Sequence, residues 1–143
     1  MGYHVVDTDE VEPDPDRPCT RRSLSAAAGL SEMAINHYTA APGEELPLAY
    51  HYHDDQEEAF YVLSGTLHVD TPEGTLEAAP GDLLTVEPGS PQFAHNPEDA
   101  TDTVYVVAIG APAVDGDVHA YEPQSAAPDE PRDRVVDPRR ASG

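Results

Sequence analysis

The fifteen residues from His51 to Gly65, HYHDDQEEAFYVLSG, constrain the fold of this chain more than any other stretch. Side chains two residues apart on an extended strand share a face, so His51 and His53 can point at one common spot. Glu58 lies an odd number of residues beyond His53, and an unbroken strand would send it to the opposite face. The polar Asp-Asp-Gln between them is therefore predicted to form a turn or bulge that brings Glu58 back.

The segment that follows Glu58 predicts a β-hairpin. AFYVLSG is a β-rich run that ends in a Ser-Gly turn, and TLHV then begins a second strand. The first strand of this hairpin would carry Glu58 to the side of the two histidines. Two imidazoles and a carboxylate on one wall suit Mn, Fe, Co, Ni or Zn, so the stretch predicts an open site for one divalent transition metal.

Glycines and polar residues on both sides of this stretch resemble the two motifs of the cupin superfamily. The first motif is matched by Gly43, His51, His53, Glu58 and Gly65, and the second by Gly81, Gly89, Gln92 and Asn96. The resemblance extends over about residues 33–110 and is closest to small single-domain cupins. It implies an all-β fold, a double-stranded β-helix (the cupin jelly-roll barrel), with a metal or ligand site in its mouth.

Three positions depart from the family pattern. The spacing from Gly43 to His51 is longer than usual, and Glu87 stands where a proline is common. Gln92 stands where the family usually has its third histidine. The predicted fold is unaffected by these departures, whereas the predicted metal site is weakened by the last one.

The predicted metal ligands are His51, His53, Glu58 and Gln92, with water in the remaining positions. Gln92 would supply its amide oxygen, a weaker donor than imidazole, which favours Mn, Fe(II) or another oxygen-tolerant ion. A three-ligand site, with Gln92 as a hydrogen-bonding wall residue, and a metal-free site are the alternatives. His95 lies on the other strand face and could replace the missing histidine only after a one-residue slip, so we rank it second.

Four more residues are predicted to line a ligand pocket beside the metal. Phe60 and Val62 alternate along the strand that carries Glu58, and Asn36 and Tyr38 share one face of an earlier strand. Lone histidines such as His37 and His68 are more often surface or packed residues than ligands.

The chain divides into an arm (residues 1–32), the barrel (33–121) and a tail (122–143). In the arm, YHVV at residues 3–6 predicts an edge strand, and LSAAAGL predicts a short helix ended by Gly29. The tail is rich in Pro, Ala and charge and nearly free of large apolar residues, so it is predicted to be disordered.

The net charge of the chain limits the kinds of molecule that it is expected to bind. The chain has 28 acidic residues against seven Arg and no Lys, for a net charge of -21. Nucleic acid and anionic membrane surfaces are therefore excluded as expected partners. Self-repulsion of such a surface is screened at ~1 M salt, where the Debye length is ~3 Å. In this respect the chain resembles acidic proteins of extreme halophiles.

Location and assembly are predicted from general features. Cys19 is the single cysteine, no apolar run approaches the ~18 residues of a membrane span, and no signal pattern is present. We therefore predict a cytoplasmic protein without an internal disulfide. Small barrels leave exposed sheet edges, which predicts a homodimer whose edges are covered in part by the strand at residues 3–6.

The resemblance to cupins implies a small metal-binding protein, with a metal-dependent oxidoreductase or isomerase as the leading function and no catalytic residue assigned. No Lys or Arg lies between Ser23 and Pro131, and the arm residues Arg17, Arg21 and Arg22 are expected to pair with surface carboxylates or a neighbouring subunit. An anionic substrate usually needs such residues, and here only the metal, the histidines, or Arg from the arm or a partner subunit could supply the charge. We therefore expect a small neutral or weakly charged substrate. The competing hypothesis is a non-catalytic module that binds a small ligand or a metal, and a decayed site comes third.

Overall fold

The computed structural model of the chain describes residues 2–114 and 116–122. The predicted disorder of residues 122–143 therefore lies, apart from Glu122, outside the described residues. Within them, no helix is long and apolar enough to cross a membrane.

Ten strands and one α-helix make up the described fold. The strands are β1 (Thr20–Ser23), β2 (Ala34–Ala40), β3 (His51–His53), β4 (Glu57–Ser64), β5 (Leu67–Thr71), β6 (Gly74–Ala78), β7 (Leu83–Val86), β8 (Phe93–His95), β9 (Val104–Ala111) and β10 (Val118–Ala120). A 3-10 helix (Thr8–Glu10) precedes β1, and α1 (Leu24–Ala28) follows it.

The strands pair antiparallel in three sheets. A five-stranded sheet has the order β1-β2-β9-β4-β7, a three-stranded sheet has the order β6-β5-β8, and β3 pairs with β10. This is the all-β jelly-roll predicted from the motifs. Among the described residues, strand pairing does not close the sheets into one barrel, and isolated bridges such as His51 to Gln92 link them instead.

One apolar core joins the two larger sheets. Every second residue of β9 is buried, and the five-stranded sheet contributes Val62, Val104 and Val106, all fully buried. Leu67 and Val69 of β5 face them from the three-stranded sheet and are also fully buried. The alternation of buried and exposed side chains is what a strand with one face on a core requires.

The helix predicted in the arm is present, and the predicted edge strand is absent. The Ser23 hydroxyl caps α1 by accepting from the Ala26 amide, and Gly29 ends it at φ 75°. Residues 3–6 form no strand, and Val5 is fully exposed. The prediction was wrong because β1 already occupies the free edge of β2, with Thr20 opposite Thr39.

The predicted hairpin across Gly65 is also wrong. β4 pairs with β7 and β9, whereas β5 pairs with β6 and β8, so the turn at Gly65 carries the chain from one sheet to the other. Gly65 has φ 76° and lies against the Thr103 carbonyl, too close for any side chain. The register of β4 against β9 also shifts between Val62 and Ser64, which bends the strand just before this turn.

Candidate metal and ligand site

A cavity of about 470 Å³ contains most of the predicted site. The predicted site residues that line it are His51, His53, Glu58, Gln92, Phe60, Asn36 and Tyr38. Val62 is not among them, because it lies two residues deeper along β4 and is fully buried in the core.

His51, His53 and Glu58 converge in this cavity. One ligand atom of each lies within 4.8 Å of the others, and Nε2 of His53 is 3.6 Å from Oε1 of Glu58. The two imidazole rings are 5.0 Å apart between centroids, at 84° to one another. The three side chains therefore form a compact set of donors suited to one ion.

The predicted break between His53 and Glu58 is present, and Asp117 stabilises it. β3 ends at His53 and β4 begins at Glu57. The Asp117 carboxylate accepts from the backbone amides of Asp55 at 2.8 Å and Gln56 at 3.1 Å. These bonds hold the turn that restores Glu58 to the face of the histidines.

Each histidine is oriented through Nδ1. In His51 this atom is 2.8 Å from the Ala49 carbonyl, and in His53 it is 3.4 Å from Oδ2 of Asp117. An acceptor at Nδ1 favours the tautomer that carries its proton there. The Nε2 lone pair of each ring is then available to a metal.

Gln92 completes the group from the facing strand. Its backbone exchanges two hydrogen bonds with His51, with N–O distances of 2.8 and 3.2 Å, so the two side chains stand side by side. Nε2 of Gln92 donates to Oε1 of Glu58 at 2.9 Å and lies 3.4 Å from Nε2 of His51. Its Oε1 is buried and has no hydrogen-bond partner among the described residues. Rotation of the amide would turn this oxygen toward the other donors, so the residues fit a divalent metal.

Burial sets the protonation of the group. It raises the pKa of Glu58 to about 7, although the hydrogen bond from Gln92 opposes this shift. Burial lowers the pKa of both His51 and His53, and the Arg17 guanidinium lowers that of His51 further. Both imidazoles are therefore neutral near pH 7, as metal binding requires.

Comparison with known proteins settles the family. Residues 36–109 match the model of the cupin domain family Cupin_2. The chain belongs to the Cupin_2 family. This cupin is 30% identical over 153 residues to the polyketide synthase CurC of Streptomyces cyaneus, covering 92% of this chain and 96% of that protein.

Solved structures share the fold of this cupin. One, of a proposed sugar phosphate isomerase from Acidithiobacillus ferrooxidans, is 31% identical with a TM-score of 0.65, covering 77% of this chain and 72% of that one. Another, of the polyketide cyclase RemF from Streptomyces resistomycificus, is 20% identical with a TM-score of 0.69, covering 86% and 88%. At this identity RemF supports the fold alone.

Sequence reasoning missed Asp117 of the cupin's site, and it ranked ligand binding by Arg17 and Arg21 below pairing with surface carboxylates. Asp117 has no local pattern that marks it, because it meets His53 only through the pairing of β10 with β3. Arg17 and Arg21 of the arm line the cavity, which removes the reason for expecting a neutral substrate. The available signal was their position in the one basic cluster that precedes the tail.

Three other histidines of the barrel, His37, His68 and His95, do not line the cavity. His95 points its Nε2 at Oδ1 of Asp70, 3.0 Å away, on the three-stranded sheet. His68 faces His95 on the same sheet, and His37 packs near Tyr105. Strand parity therefore keeps Gln92, and not His95, beside the metal donors.

Proposed function

We propose that this cupin binds one divalent transition metal through His51, His53 and Glu58 and acts as an isomerase or a cyclase-like enzyme on a small carbonyl compound. The observation that supports this most is the convergence of three donors, within 4.8 Å of one another, in a cavity large enough for a substrate. The relatives of at least 30% identity, a polyketide synthase and a proposed sugar phosphate isomerase, support the reaction class. Sugars and polyketides are both carbonyl compounds with acidic C–H bonds beside the carbonyl, and proton transfer at such a carbon underlies isomerisation and ring closure.

The cavity walls supply the rest of the chemistry. A divalent ion held by these donors would polarise a substrate carbonyl and acidify the neighbouring C–H bond. Gln92 would complete the donor set with its amide oxygen. Burial raises the pKa of Tyr38, so its hydroxyl stays protonated near neutral pH and can donate to a substrate oxygen. Leu46, Phe60 and Ala94, each at most 4% exposed, keep this part of the cavity dry.

Metal analysis and isotope exchange test the proposal together. Protein purified in high salt and loaded with Mn(II) or Fe(II) should bind one ion per chain and incorporate solvent deuterium into dihydroxyacetone, followed by proton NMR. His51→Ala should stay folded and lose both the metal and the exchange, whereas His68→Ala, outside the cavity, should keep both. Full metal content in His51→Ala would refute the ligand assignment.

A non-catalytic binding module is the second candidate, and the hydrogen bond from Gln92 to Glu58 favours it. That bond satisfies the buried Glu58 carboxylate without any metal. Metal-loaded protein would then bind diketones, thiols or phenols without deuterium exchange, product formation or oxygen consumption. Oxygen consumption with the same panel would instead indicate an oxidoreductase.

A homodimer remains our proposal for the assembly. The strand at residues 3–6 that was expected to cover an edge is absent, but β1 and β7 stand at the edges of the large sheet. The outer face of this sheet also exposes apolar side chains, including Tyr61, Leu83 and Ile109. A second copy would bury this apolar surface, and sedimentation analysis in high salt would measure the mass.

A further inference from the structure

Two arginines of the arm reach the cavity of the metal donors. Only three residues of the described chain are basic, Arg17, Arg21 and Arg22, and the first two line the cavity. Arg22 lies elsewhere, with its Nε donating to the Val11 carbonyl. In a chain of net charge -21, most of the described positive charge is thus gathered at one site.

The two guanidinium groups keep donors available for a ligand. Nη2 of Arg17 donates a hydrogen bond to the Leu46 carbonyl at 2.9 Å. Nε of Arg17 is buried and has no partner among the described residues. Arg21 donates from Nε to Asp14 at 2.6 Å, which holds the side chain in place. Arg21 also hydrogen-bonds the side chain of Tyr38. A guanidinium has five N–H donors, so one bond from Arg17 and two from Arg21 leave both arginines able to bind an oxyanion.

Both guanidinium groups lie where they could contact a ligand in the cavity. Arg17 is close enough to His51 to influence its electrostatics, and Arg21 acts in the same way on Tyr38. The negative charge of the whole protein repels small anions, so an anionic substrate would need a local positive wall to enter. Arg17 and Arg21 provide such a wall on the side of His51 and Tyr38.

We infer that Arg17 and Arg21 bind an oxyanionic group of the substrate, a phosphate or a carboxylate, while its carbonyl lies at the donors His51, His53 and Glu58. This inference rests on the proposed function for the place of the carbonyl. It corrects the expected neutral substrate to a small anionic carbonyl compound. The arginines thereby select the substrate and position it.

Matched ligand pairs test the inference by calorimetry. Dihydroxyacetone and dihydroxyacetone phosphate differ by a phosphate, and methyl levulinate and levulinate differ by a charged carboxylate. Mn(II)-loaded wild type should bind the charged member of at least one pair about tenfold more tightly or better, because charge-assisted hydrogen bonds are strong. The pair with the larger gain in affinity shows whether the arginines prefer a phosphate or a carboxylate.

Four variants assign the gain in affinity to individual residues. Arg17→Gln and Arg21→Gln should each lose most of it, while Arg22→Gln, outside the cavity, should retain it. Arg22→Gln should also keep the wild-type metal content and bind the neutral ketones as before. Arg17→Lys should restore part of the gain, because it returns the charge with fewer donors.

The outcomes separate this inference from the proposed function. The proposed anion binding by Arg17 and Arg21 would be overturned if wild type bound both members of each pair equally well. It would also be overturned if the gain in affinity for the charged member survived in both Arg17→Gln and Arg21→Gln. Metal binding and ketone binding could still hold in that case. If no metal binds, the metal-free protein still tests the arginines. Tighter binding of the charged ligand that is lost in Arg17→Gln and Arg21→Gln would then support anion binding by these residues.

Discussion

A single carboxylate, that of Asp117, positions two parts of the site at once. It is 6% exposed, accepts backbone hydrogen bonds from Asp55 and Gln56, and faces Nδ1 of His53. Burial opposes its ionisation, but these amide bonds and the neighbouring His53 hold the pKa of Asp117 below its usual range. The charged carboxylate therefore orients the His53 ring and fixes the turn that brings Glu58 back to the face of the histidines.

Asp117→Asn tests this double role. The amide keeps the size of the side chain but can accept at only one atom. Either the Asp55 amide loses its acceptor, or the Gln56 amide and the His53 ring lose theirs together. We expect metal affinity to fall about 10- to 100-fold and unfolding free energy by about 1–3 kcal/mol. Chelator competition and urea titration measure the two effects. Asp70→Asn, which removes a partner of His95 away from the cavity, is the control, and an equal loss of metal affinity there would contradict the assignment.

Glu58 gives the metal-free protein a pH dependence of known sign. Burial raises its pKa to about 7 from 4.5, so the folded state resists ionisation of this carboxyl. Its contribution to stability is present below pH 4.5 and is lost as pH rises through about 7. Glu58→Gln should therefore stabilise the metal-free protein at pH 8, by up to about 3 kcal/mol, and change little near pH 4.5.

Urea titrations in chelator across this pH range measure the difference. The lowered pKa values of His51 and His53 make their contributions to stability change with pH in the opposite direction. Both residues are present in the wild type and in Glu58→Gln, so their contributions largely cancel in the difference. Glu57→Gln alters the exposed neighbouring acid and should show no such dependence. A Glu58→Gln effect that is the same at pH 5 and pH 8 would argue against a desolvated carboxyl.

At the residue scale, local spacing predicted what lies on one or two strands. The shared face of His51 and His53, the return of Glu58 and the place of Gln92 all follow from strand parity and a polar interruption. Asp117 and Arg17 reach the site from distant parts of the chain, and no spacing rule relates them to the histidines. Val62 was misplaced because parity gives the face of a strand but not the depth along it.

At the scale of elements, Gly65 decides how β4 is followed by β5. A Ser-Gly turn after a β-rich run indicates a reversal of the chain, and a hairpin and a crossing between sheets both satisfy that pattern. The choice depends on contacts with Thr103 and Val104, which come about forty residues later. The jelly-roll itself was predictable because its two motifs are local, whereas the sheet to which each strand belongs was not.

Gly65→Ala should be strongly destabilising for this reason. A Cβ there would lie 2.5 Å from the Thr103 carbonyl oxygen and 3.0 Å from Cα of Val104, at φ 76°. Gly81→Ala is a matched control, because Gly81 has φ 90° but nothing within 4 Å of an added Cβ. We expect about 1 kcal/mol of destabilisation for Gly81→Ala and clearly more, at least about 2 kcal/mol, for Gly65→Ala. Equal losses in urea titration would mean that the close contact is relieved easily.

At the scale of the whole molecule, the net charge of -21 works against the compact state. The described acids are distributed over the arm, the loops and the two larger sheets, while the described arginines all lie in the arm. The prediction of a cytoplasm rich in salt follows from this composition, and it leads to a measurable property of the isolated protein.

Stability should rise with ionic strength. Between ~0.1 and ~1 M KCl the Debye length falls from ~10 to ~3 Å, so repulsion between surface acids is largely removed and the midpoint of thermal unfolding should increase. Sulfate at equal ionic strength separates this screening from preferential exclusion, since screening alone gives similar midpoints in the two salts. A midpoint independent of KCl concentration would rule out charge repulsion as a limit on stability.

The cavity is assembled from both ends of the described chain. Arg17 comes from the arm, and Val118 and Ala120 come from β10, which pairs with β3 and follows Asp117 directly. A nascent polypeptide still on the ribosome thus lacks a finished pocket until β10 has emerged, however early the histidines appear. Binding of the proposed ion should accordingly be late and should follow the synthesis of β10, the last strand among the described residues.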